Sequence, residues 1–153
     1  VYDPLHNELF SAQKGRGSEL NGKKIKVAEV PDMLPSGVSS GILEFAGRHG
    51  FALQLMQACG KARILGSQAL HLCYVAAGRM RINLNWNCHV WDDAAGVLIV
   101  REAGGVYSNS LNAPVFPLKT GDDVLAGKPI RSVAGTPSEH TRILKAAKDG
   151  GWW

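Results

Sequence analysis

Trp91-Asp92-Asp93-Ala94-Ala95-Gly96 runs through an apolar stretch into Glu102-Ala103-Gly104-Gly105, and the reading of this string decides the fold. Ala95, Leu98, Ile99 and Glu102 recur at helical spacing. Two carboxylates stand at the start, where they favour the positive end of the helix dipole, and Gly104-Gly105 supplies a left-handed stop. The spacing predicts a helix over about 92–103, with Trp91 or Asp92 as its cap. Asp93 reads as a dipole-complementing or solvated residue.

On either side of this helix the chain alternates between strand and helix signals. Strands are expected near Gly37–Gly41, at Ala62–Leu65, at Met80–Leu84, at Val106–Tyr107, at Val124–Ala126 and at Ser132–Ala134. Helices are expected over about 43–58, 67–78 and 138–148, the last opened by the cap-and-proline start Thr136-Pro137-Ser138-Glu139. Such alternation predicts an α/β layered domain with a mixed sheet over 36–150. Residues 1–30 differ: Val1-Tyr2-Asp3-Pro4, Glu8 to Ala12 and Ile25-Lys26-Val27 are short strands separated by the turns Gly15-Arg16-Gly17 and Asn21-Gly22. This meander has no core of its own and reads as the trailing edge of an antiparallel sheet. Pro31 to Pro35 reads as the connector.

The bulk composition sets limits. A chain of 153 residues, 45% apolar and 20% charged, has the proportions of a soluble globular domain. No apolar run reaches about 18 residues, the length of a membrane span. The start, Val1-Tyr2-Asp3-Pro4, has neither an initiator Met nor the pattern of a signal peptide, and reads as if cut from a longer chain. The net charge of +4 is scattered except at Lys23-Lys24-Ile25-Lys26, which follows the Asn21-Gly22 turn without interleaved aromatics; a solvated hairpin is expected there and no nucleic-acid partner. Cys59, Cys73 and Cys88 have no CxxC spacing and read as reduced residues of a cytoplasmic protein, the first two in the core. The five histidines lack metal-ligand spacing and read as structural, with His89 set apart by its place beside the motif. Trp152 and Trp153 are expected to pack against the domain or a partner.

Trp91-Asp92, Ala94-Ala95-Gly96 and Glu102 to Gly105 together resemble the C-terminal signature of the inositol monophosphatase family, a group of metal-dependent sugar phosphatases. Three further blocks carry the resemblance: Val1 to Phe10, Gly15 to Gly22, and Arg63-Ile64-Leu65-Gly66-Ser67-Gln68-Ala69 with Cys73 to Arg79. It implies the C-terminal α/β part of a layered αβαβα sandwich, preceded by trailing strands of the N-terminal sheet. It also implies hydrolysis of inositol phosphate or a related sugar or polyol phosphate by metal-activated water. Asp92 is implied as a Mg²⁺ ligand, since a hard cation takes carboxylate oxygen held rigidly at a helix start. Gly66, Ser67, Gln68, Asn85 and Asp92 are implied to line the substrate, where N–H groups and a hydroxyl at a helix start suit a phosphorylated ligand. Homodimerisation of the parent protein is implied as well.

Two positions depart from the family pattern. Asn85 stands where inositol-specific members carry Glu, and Arg81 where many bacterial members carry Asp. An acceptor becomes an amide and a negative charge becomes positive, which points away from inositol phosphate and toward a substrate with a further anionic group. Asp3-Pro4-Leu5 imitates the start of the family's principal metal motif but continues His6-Asn7-Glu8, so Asp3 reads as a turn residue. The other metal ligands of the family lie in upstream motifs. The chain alone is therefore expected to be inactive, its missing N-terminal half being a partner. Fructose bisphosphate, a nucleotide 3′-phosphate and histidinol phosphate are alternative substrates. A non-catalytic sugar-phosphate-binding or interaction module, using an exposed sheet edge, is the reading from another class.

Overall fold

The computed structural model describes residues 1–28 and 34–152. Most of the expected connector, together with Trp153, falls outside the described residues.

Strands β1 (Tyr2–Asp3), β2 (Glu8–Gln13), β3 (Gly17–Leu20) and β4 (Lys23–Ile25) form an antiparallel sheet in chain order. Leu20 pairs with Lys23, so Asn21-Gly22 is a two-residue hairpin loop. Both residues have positive φ, 49° and 76°, as the twist of a tight hairpin requires. Lys24 pairs with Glu19 at 2.9 Å, which agrees with a solvated hairpin.

The second sheet comprises β5 (Ser36–Val38), β6 (Ala62–Arg63), β7 (Ile82–Cys88), β8 (Val106–Asn109) and β9 (Ile130–Gly135), in the order β6-β5-β7-β9-β8. β5 runs parallel to β6 and β7, whereas β9 is antiparallel to β7 and β8. The helices are α1 (Ser40–Arg48), α2 (Ala52–Cys59), α3 (Gln68–Ala76), α4 (Val90–Glu102) and α5 (Pro137–Asp149).

Period-two alternation along β7 sorts the layers. Ile82, Leu84 and Trp86 point into a core shared with Ile42 of α1, Leu55 of α2 and Ile143 of α5. Asn83 and Asn85 point the other way, toward α3. On that side Leu72 and Val75 of α3 pack with Val97 and Val100 of α4, and Phe10 of β2 closes the cluster from the first sheet. The result is a helix–sheet–helix–sheet stack, the mixed α/β architecture expected.

Several boundaries differ from expectation. The apolar run over 43–58 breaks into α1 and α2 at His49-Gly50-Phe51, where Gly50 takes φ 78°. Asp123–Ala126 is a turn of 3₁₀ helix and not a strand. β7 extends to Cys88. α4 begins earlier than expected, with His89 as its cap, so Asp92 stands in the first turn and its Oδ2 accepts the His89 N–H at 2.8 Å. Trp152 is buried and stacks on Phe51 with ring centroids 5.4 Å apart.

Candidate functional site

Three parallel strands place the site. β5, β6 and β7 end at one edge of the sheet, and each leads into a helix: α1, α3 and α4 respectively. Their N-termini therefore converge, bringing three sets of unpaired N–H groups and three positive dipole ends to one spot. Ser39 caps α1 and Ser67 caps α3, each hydroxyl accepting the N–H three residues on at 3.3 Å. Gly66, at φ 78°, turns the chain into α3. The N-termini enclose a cavity of about 220 Å³.

The cavity brings together every residue picked from the sequence for a substrate or metal role: Gly66, Ser67, Gln68, Asn85 and Asp92 all line it. Ser39, Ser40 and His71 line it too and were missed. Nothing local marks Ser39 and Ser40; they reach the site only because β5 pairs beside β7. His71 is buried, and its Nε2 accepts the Leu65 N–H at 3.1 Å. Burial pushes its pKa down, partly offset by the Asn83 side chain.

Asp92 is the carboxylate at the rim, with its side chain 38% exposed and held by the His89 N–H. His89 also stacks flat on Trp91, ring centroids 4.6 Å apart, and Trp91 remains 65% exposed. Asp93 stands in the first turn of α4, at the positive end of the helix dipole, but it is fully buried and not solvated. Its Oδ1 accepts Gln68 Nε2 at 2.8 Å, and its Oδ2 accepts the Cys88 thiol at 3.0 Å and the Tyr107 hydroxyl. Burial pushes its pKa up, and these donors pull against that. Burial likewise pushes the Cys88 thiol and the Tyr107 phenol upward, with Asp93 adding to both. Cys59 and Cys73 are pushed up to about 12 by burial and are inert core thiols.

Arg81 also differs from expectation. It lies at the opposite end of β7 and does not face the cavity. Its guanidinium donates to the carbonyls of Cys59 (2.6 Å) and Ala58 (3.3 Å) at the end of α2, and sits 3.5 Å from Glu139. The positive charge at this position is spent inside the fold, so it carries no argument about a second anionic group on the substrate.

Asp3 is a turn residue: its Oδ1 accepts the N–H groups of Leu5 (3.0 Å) and His6 (3.4 Å).

Among the described residues no group of three or more His, Cys, Asp or Glu side chains surrounds a common point. Mg²⁺ asks for six oxygens in near-octahedral array. Among the described residues Asp92 is the carboxylate that offers oxygen to a cation at this cavity, while Asp93 is engaged with three donors.

The sequence profile of the inositol monophosphatase family matches residues 1–150, and the chain belongs to that family. The protein named Nus factor SuhB from Escherichia coli strain K12 is 38% identical over 134 residues, covering 84% of this chain and 49% of that protein. A fructose-1,6-bisphosphatase/inositol-1-monophosphatase from Thermotoga maritima is 37% identical over 110 residues, covering 71% of this chain and 42% of its own length. The crystal structure of an inositol monophosphatase from Anabaena superposes with a TM-score of 0.77 at 28% identity, over 97% of this chain and 57% of that one. The chain spans about half the length of the curated relatives it matches. No helix among the described residues is long and apolar enough to cross a membrane.

Proposed function

We propose that this chain is the substrate wall and one metal ligand of a Mg²⁺-dependent phosphomonoesterase acting on inositol phosphate or a related sugar or polyol phosphate. The observation that carries this reading is the meeting of Gly66, Ser67, Gln68, Asn85 and Asp92 around one cavity at three helix N-termini. Such a place stabilises an anionic, oxygen-rich ligand through N–H groups that need no reorganisation. Asp92 supplies one oxygen to the metal, and the remaining ligands come from a segment outside this chain. By itself the chain binds but does not turn over.

The test is a hydrolysis panel on the protein extended through upstream acidic motifs: inositol phosphate, fructose bisphosphate, a nucleotide 3′-phosphate and histidinol phosphate. Mg²⁺-dependent release of phosphate from a sugar or polyol ester, lost in Asp92→Ala, is the expected outcome. Hydrolysis indifferent to both Mg²⁺ and Asp92 contradicts the reading.

A second reading, a non-catalytic binding or interaction module, draws on the relatives named Nus factor SuhB and on the first hairpin. Tyr2, Leu5 and Leu9 are 55%, 90% and 50% exposed along that edge of the sheet. An extended protein that binds the sugar phosphate but releases no phosphate favours this reading.

A further inference from the structure

We propose that Asp93 is a positioning residue for the candidate site: acting through Gln68, it fixes which way round the Asn85 amide is presented to the cavity. The geometry stands by itself; its consequence for a ligand rests on the reading of the cavity given above.

A primary amide fits a site either way round, with oxygen and nitrogen exchanged, and only its partners choose between the two. Asp93 is an acceptor. Its Oδ2 is occupied by the Cys88 thiol and the Tyr107 hydroxyl, and its Oδ1 faces Gln68 at 2.8 Å. An acceptor at that point selects Gln68 Nε2. The other end of the amide, Oε1, is thereby turned toward β7, where it accepts Nδ2 of Asn83 at 2.9 Å and of Asn85 at 2.8 Å. Asn85 Oδ1 is turned along the strand and accepts the Asn87 N–H at 3.0 Å. Every bond in the series has the same sense. Asn83 keeps the same sense, donating its Nδ2 to Gln68 Oε1 while its side chain also interacts with His71.

After Gln68 is served, Asn85 Nδ2 has one N–H left, on a residue that lines the cavity. The wall at this point is a fixed donor. It suits an oxygen acceptor of the ligand, a phosphoryl or hydroxyl oxygen, and disfavours an ammonium group.

The test is a thermal-unfolding cycle on the full chain, with a ligand arm beside it. Asn85→Asp sets two acceptors against each other at Gln68 Oε1 and lowers Tm by roughly 4–8 °C. Adding Asp93→Asn frees Gln68 to turn its Nε2 toward residue 85, and the double variant recovers at least half of that loss. In a Gln68→Leu background the recovery disappears. Additive effects, or recovery that persists without Gln68, overturn the proposal. Should Asn85→Asp not fold, a folded double variant is the same rescue and an unfolded one overturns it. In the ligand arm, calorimetric titration with inositol 1-phosphate and Mg²⁺, carried out well below the variant's own Tm, gives at least fivefold weaker binding in Asp93→Asn. Unchanged affinity contradicts the positioning role. Absence of binding by the unmodified chain sinks the reading of the cavity instead, and the unfolding cycle still decides the role of Asp93.

Discussion

Glu102 closes over the turn at Gly17: its Oε2 accepts the Gly17 N–H and its Oε1 the Gly15 N–H, each at 2.9 Å. The carboxylate ends the same helix whose first turn carries Asp92, so α4 links the candidate site to the first sheet. The Gly15 and then the Gly17 N–H hold the Glu102 carboxyl below the usual glutamate range. A depressed carboxyl contributes stability above its unfolded pKa and loses it as pH falls through the folded value. Glu102→Ala is expected to speed amide exchange at Gly15 and Gly17 by about tenfold and to remove that part of the acid dependence. Exchange read by NMR at pH 7 and pH 4 checks both points.

Gly96 is required by packing and not by backbone freedom. A Cβ there would lie 2.5 Å from Leu72 Cδ1 and 2.7 Å from Leu72 Cβ, where α3 and α4 touch. Leu72 is fully buried and has nowhere to go. The gain in helix propensity, about 1 kcal/mol, is smaller than the cost of overpacking, about 1–3 kcal/mol. Gly96→Ala is therefore expected to lower stability, measured by denaturant unfolding.

Arg81 serves the fold. Its side chain is 12% exposed and Glu139 is 5% exposed, and Arg142 completes the cluster at 2.7 Å from Glu139. Arg81→Met is expected to cost about 2–4 kcal/mol, since it unpairs carbonyls and weakens a buried charge pair. Binding of inositol 1-phosphate by the folded variant is expected to stay within about twofold of the parent chain, because the side chain does not reach the cavity. A large loss of affinity without loss of stability would return Arg81 to the site.

His71 and His140 both have their pKa pushed down by burial. A histidine harder to protonate in the folded state contributes stability above its unfolded pKa, about 6.5, and loses it as pH falls through the lowered value. Tm is therefore expected to drop below about pH 6.5, and His140→Gln is expected to flatten the drop. His140 Nε2 bonds Ser108 Oγ at 2.9 Å, a contact an amide can keep.

Much of this arrangement is legible in the sequence, and the failures have physical causes. The α4 motif marks its helix because cap, apolar spacing and glycine stop agree. The burial of Asp93 is not legible at its own position, because a carboxylate at a helix start ordinarily faces solvent. Yet Asp93, Gly96, Val97 and Val100 fall at the spacing of one helix face, and that face is buried. Ile82-Asn83-Leu84-Asn85-Trp86-Asn87 alternates apolar and amide residues, so the full length of β7 was there to be read. Arg81 misled because alignment with a family pattern gives a position along a strand but not which end of it faces the ligand. Ser39 and Ser40 join the site through parallel pairing of β5 with β7, a long-range fact that no local spacing carries.

On the proposed reading this chain supplies a substrate wall and one metal oxygen, and the other metal ligands come from outside it. The most direct test is to assay phosphate release from inositol 1-phosphate, in saturating Mg²⁺, by this chain and by its Asp92→Ala variant. Neither is expected to turn over above the uncatalysed rate, while the parent chain binds the ester with Mg²⁺ assistance and the variant binds it more weakly. Mg²⁺-dependent turnover by the parent chain, abolished in Asp92→Ala, would contradict this reading and place a complete metal site within these residues.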